Sequence, residues 1–172
     1  MIIYIGIDNG VSGSIAFLDE LGSVIDAFHP PVIKEQNYTK KKGNITRIDH
    51  RKLFWKFKNL MLALKASDDV RDVRVFLERP MTALNRYHAV VSGMRALEST
   101  LLVLERLKLR YQYIDSKEWQ SVMLPKGSQK EQLKKDSMTI GCRLFPNYKK
   151  GILKHKDADG LLIAEWARRM KK

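Results

Sequence analysis

The sequence predicts an α/β fold: a mixed five-stranded sheet, three antiparallel strands then two parallel ones, flanked by helices. Three observations carry this. Three short apolar runs separated by turn residues open the chain. Segments of helical period then alternate with two further strand-like runs. Such alternation packs helices against a sheet that contains parallel strands.

The first run, Ile2-Ile3-Tyr4-Ile5-Gly6-Ile7, is apolar on both faces, as in a central strand, and Asp8 ends it. Asn9-Gly10 and Ser12-Gly13 favour a hairpin into a second strand, Ser14 to Leu18. Val24 to Phe28 follows the Glu20-Leu21-Gly22 turn as a third strand, and Pro30-Pro31 ends regular structure. Residues 31–49 read as a polar, basic loop, with Lys34, Lys40, Lys41, Lys42 and Arg47. A structureless stretch of that length is uncommon unless it binds something or stays mobile.

Leu53, Phe54, Phe57, Leu60, Met61 and Leu64 recur at helical spacing. Val73 to Leu77 is the next strand, ended by Glu78-Arg79-Pro80. A long helix spans Tyr87 to Lys108, with Val90, Gly93, Leu97, Leu101 and Leu104 on one face. Arg110 to Ile114 is a short strand, and Asp115-Ser116 caps the turn into Lys117-Glu118-Trp119. After the Pro125-Lys126-Gly127-Ser128 loop, a helix carries Leu133, Ser137, Ile140, Gly141 and Leu144 and ends near Pro146. The last helix carries Leu162, Ile163, Trp166, Ala167 and Met170. The expected order is β-β-β-α-β-α-β-α-α. No repeat or linker divides it, so residues 1–172 are expected to form a single domain.

Charge narrows the partners. Against 19 Asp and Glu stand 32 Lys and Arg, a formal net charge of +13 on 172 residues. That balance favours a polyanion, either nucleic acid or an anionic membrane surface. No apolar stretch reaches the ~20 residues of a membrane span, and no signal peptide is visible. The single cysteine, Cys142, excludes an internal disulfide and a cysteine-based zinc site. A reducing, cytoplasmic setting is the expectation.

Three acids stand out by context. Asp8 ends the first strand, Glu78 ends the fourth, and Asp159 opens the last helix. If the first and fourth strands are neighbours, Asp8 and Glu78 are close. Crowded carboxylates repel one another unless a cation neutralises them. Magnesium suits such oxygen donors, and paired ions assist phosphodiester hydrolysis. A lone Asp8 that only caps its turn is the structural alternative. Asp159 shares a helix face with Leu162, Ile163 and Trp166, so it is expected to face the sheet. His155, four residues earlier, joins that face if the helix extends back to it. Asp157 is expected to point the other way, as a first-turn acid. Lys156 is a weaker candidate for a phosphate contact.

These segments together resemble the RuvC-like Holliday-junction resolvases, especially the compact versions of phages and mobile elements. The matching pieces are Gly6-Ile7-Asp8-Asn9-Gly10, Gly13-Ser14-Ile15-Ala16, Val75-Phe76-Leu77-Glu78 and the run from His155 to Ala164. Asp115 to Gln120 and Leu144-Phe145-Pro146 add to them, in the same order along nearly the whole chain. The resemblance implies an RNase H-like fold, a homodimer, and a magnesium- or manganese-dependent endonuclease with two ions per site. Its substrate would be four-way DNA junctions, cut by paired symmetric nicks that leave 5′ phosphates, in the cytoplasm of a bacterial or phage-infected cell. It carries catalytic and metal-binding roles onto Asp8, Glu78 and Asp159. The fourth position is an acid or histidine three or four residues before Asp159; here His155 fills it, with Asp157 as fallback. Gly160 stands where the family more often has alanine, a small cost in helix propensity.

Lys34, Lys40, Lys41, Lys42, Lys126, Lys130, Lys134, Lys154 and Lys156 are the expected DNA contacts, and Tyr87 is placed to stack on an unpaired base or to pack at the start of its helix. Neither a membrane nor a small-molecule substrate is expected. Competing readings are an RNase H-like nuclease on RNA–DNA hybrids or other branched DNA, and a non-catalytic junction-binding module. An actin-like ATPase shares the Asp-x-Gly opening but needs a second similar domain.

Overall fold

The computed structural model describes residues 1–37, 43–67, 70–80, 82, 84–127 and 130–172. Its main sheet has five strands: β1 (Ile2–Ile7), β2 (Ile15–Leu18), β3 (Val24–Phe28), β6 (Asp72–Glu78) and β7 (Tyr111–Ile114). They lie in the order β3-β2-β1-β6-β7. The first three are antiparallel, and β6 and β7 run parallel to β1. This is the expected mixed sheet. Its centre is β1, whose residues 3–7 are all buried, as the apolar run requires.

Each face of the sheet carries its own core. One holds Phe17, Leu53, Phe57, Val103 and Leu104, where α1 (His50–Ser67) and α2 (Tyr87–Arg106) pack. Phe17, Phe28 and Phe57 contact one another there, the Phe17 and Phe57 ring centres 5.1 Å apart. The other holds Phe76, Trp119, Leu162, Ile163 and Trp166. It lies under α3 (Ser116–Met123), α4 (Lys130–Leu144), α5 (Lys149–His155) and α6 (Asp159–Arg169). The start of α3 is the expected Asp115 cap, completed by Glu118 in a reciprocal capping box. Helix α6 is buried from Gly160 to Ala167 and lies across β1 and β2.

Two features differ from expectation. The stretch between Pro31 and Asp49 is not a loop. Val32–Gln36 and Asn44–Ile48 form an antiparallel hairpin, β4 and β5, as a separate two-stranded sheet. Its side chains alternate between exposed and half-buried, and Arg47 pairs with Glu35 at 2.5 Å. Lys34 is exposed on this hairpin, while Lys40, Lys41 and Lys42 lie outside the described residues. The chain preceding α6 also breaks. Helix α5 ends at His155, and Lys156 adopts a left-handed conformation with φ 54°. His155 and Asp159 therefore do not share one helix face.

Candidate active site

The sheet registers bring the acids together. Ile7 of β1 pairs with Leu77 of β6, so Asp8 and Glu78 leave the same end of adjacent parallel strands. The Asp8 amide donates to the Ser14 carbonyl at 2.9 Å, closing the turn into β2. Gly13 lies directly against Asp8. A methyl group there would sit 2.2 Å from the Asp8 carbonyl oxygen and 3.1 Å from its carboxylate.

Helix α6 delivers the remaining acids through an unusually close backbone approach. A methyl on Gly6 would lie 2.2 Å from the Gly160 carbonyl oxygen, and one on Gly160 would lie 2.7 Å from the Ser14 carbonyl oxygen. The Gly160 amide donates to the Ser14 hydroxyl at 2.9 Å. The glycine that costs α6 helix propensity is thus what lets its N-terminus reach β1 and β2.

Asp8, Asp157 and Asp159 each offer a ligand atom, and these atoms lie within 4.8 Å of one another. Asp157 does not point away as expected. It precedes the first turn, its side chain accepts the Asp159 amide at 2.8 Å, and the same carboxylate belongs to the acid group. Glu78 borders the group, with its charge felt by Asp8 and the Asp159 charge felt by Glu78. The Ser137 hydroxyl of α4 donates to Asp159.

Crowding and burial shift the carboxyls of Asp8, Glu78 and Asp159 upward. Burial, then Glu78, Asp159 and Asp157, holds the Asp8 carboxyl well above the usual carboxylate range. Burial and Asp159 push Glu78 up to about 7. Burial and Asp157 push Asp159 up to about 6, against the opposing pull of Ser137 and Lys134. The Trp119 indole N–H is buried without a hydrogen-bond partner of ordinary length among the described residues, yet it sits near enough to Glu78 to favour the ionised carboxylate.

The remaining expected residues are placed as follows. His155 stays out of the acid group: its ring packs edge-on against His29, centres 4.9 Å apart, and burial and His29 lower its basicity. Lys134 is exposed on α4, close enough to both Asp8 and Asp159 for its charge to favour their ionised forms. Lys126, Lys154 and Lys156 are exposed. Lys130 opens α4, and its side chain lies outside the described set. Tyr87 is 71% exposed at the first residue of α2, with its ring edge-on to that of His88. Sequence reading missed Ser137, Ser14 and His29 as parts of the site. A serine on the apolar stripe of a helix was the one available signal, for Ser137.

An all-carboxylate donor set at a partly buried site suits a hard divalent cation that keeps some of its waters, such as magnesium or manganese. The raised carboxyls are what such a set looks like without its counter-charge.

No protein-family model matches the chain, and no curated protein matches it. Among solved structures, it is similar to T. thermophilus RuvC in complex with a Holliday junction substrate. The TM-score is 0.55 at 11% identity, over 99% of this chain and 96% of that one. The chain has the RuvC fold. A second Thermus thermophilus RuvC structure is 14% identical, with a TM-score of 0.46, over 98% of this chain and 96% of that one. In this RuvC-like arrangement, the parallel β1–β6 pair and the crossing of α6 over β1 are the two features that converge on the acids. Among the described residues, no helix is long and apolar enough to cross a membrane.

Proposed function

We propose that this protein is a divalent-metal-dependent endonuclease that resolves four-way DNA junctions. The observation that carries the reading is the Asp8–Asp157–Asp159 group, bordered by Glu78, at the open end of the sheet in a RuvC fold. Asp8, Asp159, Asp157 and Glu78 would hold two magnesium or manganese ions, with His155 packed against His29 outside that acid group. Bound there, the ions supply Lewis acidity that makes water nucleophilic near neutral pH and offsets charge on the departing oxygen.

The reaction is hydrolysis. Water attacks the phosphorus, the bond to the 3′ oxygen breaks, and a 5′ phosphate and a 3′ hydroxyl remain. Within the chain, Ser137 fixes the rotamer of Asp159, and the Asp157 side chain fixes the first turn of α6. Exposed lysines Lys34, Lys126, Lys134, Lys154 and Lys156, with Lys40, Lys41, Lys42 and Lys130, contact phosphates. Tyr87 stacks on a base opened at the crossover. A homodimer places two such sites on opposed strands, which yields paired symmetric nicks.

The test is cleavage of a synthetic four-way junction beside a linear duplex and an RNA–DNA hybrid, with wild type and Asp8→Asn in magnesium or manganese. Paired nicks in the junction alone, lost in the variant, are the expected result. Cleavage of the hybrid instead assigns an RNase H-type activity. Junction binding without any metal-dependent cut overturns the catalytic reading and leaves a binding module.

A further inference from the structure

His29 follows β3 and lies outside the acid group, yet it touches the two segments that frame it. Its Nδ1 is 2.6 Å from the Gly13 carbonyl oxygen, and its Nε2 is 3.1 Å from the His155 carbonyl oxygen. Gly13 packs directly on the Asp8 carboxylate. His155 ends α5, two residues before Asp157. One imidazole therefore spans from the Asp8 turn to the segment that carries the other two aspartates.

That segment turns sharply between α5 and α6, and within it the Asp157 carboxylate accepts the Asp159 amide. Lys156 sits at φ 54°, a conformation that costs a non-glycine residue energy, and Ala158 at the α6 N-cap contributes no side-chain cap. The last carbonyls of a helix lack intrahelical partners, and His29 Nε2 lies 3.1 Å from that of His155, to which it donates when it carries a ring proton. The His155 ring adds an edge-on contact to the same imidazole, centres 4.9 Å apart. Both partners of His29 are carbonyl oxygens, which only accept, so whichever ring nitrogen carries the proton decides which contact is a hydrogen bond.

We propose that His29 is a positioning residue for the carboxylate site, holding the Asp157–Asp159 segment against the Asp8 turn through its bond to the His155 carbonyl. This rests on the reading of those acids as a cation site. Loss of that bond releases the left-handed link at Lys156, spreads the aspartates and weakens cation binding. Groups hydrogen-bonded to a metal's own ligands typically change affinity by about 10–100-fold, and His29, which bonds the chain beside those ligands, is expected at the low end of that range.

Two substitutions separate the two contacts. The amide nitrogen of asparagine falls near Nδ1 and keeps the Gly13 contact. The amide nitrogen of glutamine falls near Nε2 and keeps the His155 contact. Manganese binding to wild type, His29→Asn and His29→Gln is measured by titration calorimetry, with the thermal midpoint of each metal-free protein. The expected result is affinity about tenfold weaker in His29→Asn and within about threefold of wild type in His29→Gln. Junction cleavage should show the same shift in the manganese needed for half-maximal rate. Equal affinity in all three proteins overturns the assignment, as does equal weakening in both variants. A wild type that binds no manganese overturns the cation-site reading, and the role of His29 with it. A wild type that binds manganese but cuts no junction removes the nuclease alone and leaves the His29 test intact.

Discussion

Asp8 is held by its own backbone before any ligand arrives. Its amide is tied to Ser14, Gly13 is pressed against it, and three other acids act on its carboxyl. The carboxyls of Asp8, Glu78 and Asp159 are all raised, so in metal-free protein the folded state keeps protons that the unfolded chain has released. Stability from this source is present below the unfolded carboxylate range and is lost as pH rises through about 6 and about 7, the values for Asp159 and Glu78. Metal-free protein should therefore lose thermal stability between pH 5 and pH 8, and magnesium or manganese should raise the midpoint much more at pH 8. A thermal melt at each pH with and without metal checks this, and an equal metal effect at both values would contradict it. Asp159→Asn removes one charge from the cluster while keeping an oxygen for Ser137. It should raise the metal-free midpoint at pH 8 by roughly 2–6 °C and lower junction cleavage by about a hundredfold or more. Of these residues, Asp8, Glu78 and Asp159 were legible because each sits where an apolar pattern starts or stops. Asp157 was misjudged because its orientation depends on the break at Lys156, and a lysine carries no signal for a positive φ.

The elements divide along the same line. Strands β1, β2, β3, β6 and β7 announce themselves because apolar runs bounded by Asp, Gly or Pro have few other ways to fold. The β4–β5 hairpin does not, because its strands alternate between exposed and half-buried positions and bury only Ile48 fully. Two prolines before it and a basic run of sequence between its strands removed the remaining cues. The start of α6 shows where local propensity misleads. By propensity, Gly160→Ala should gain about 1 kcal/mol. The new methyl would lie 2.7 Å from a backbone carbonyl of β2's approach, Ser14, which cannot move without disturbing Asp8. We expect Gly160→Ala to lose roughly 1–2 kcal/mol net, because overpacking outweighs the helical gain. Gly10→Ala is the matched control: its methyl would meet nothing closer than 3.6 Å. Urea unfolding of both variants decides it, and a stabilised Gly160→Ala would show that α6 has room to retreat from β1.

At the scale of the whole molecule, the acid cluster and the +13 formal charge pull in opposite directions. A polyanion is attracted by the surface as a whole and repelled at the metal-free site, so binding and cutting should respond differently to salt and to metal. Each lysine–phosphate contact releases a counterion, and log affinity falls by about 0.9 per contact for each decade of salt. The nine lysines named for phosphate contact would give a slope of about −8 per subunit, and about twice that if both subunits of a dimer engage one junction. Lys34→Glu on the hairpin should flatten the slope by about one per subunit. It should leave the cleavage rate at saturating protein unchanged, because Lys34 stands on the separate β4–β5 sheet, whereas Asp8 follows β1, Glu78 ends β6 and the other two acids lie at the start of α6. Lys134→Gln should do both: flatten the slope and lower the rate, because its ammonium also favours the ionised forms of Asp8 and Asp159. Junction affinity measured at several salt concentrations in calcium or metal-free buffer, beside single-turnover cleavage in magnesium, separates the two effects. Identical behaviour of the two lysine variants would mean that the basic surface acts as one field, with no division between holding the DNA and serving the site.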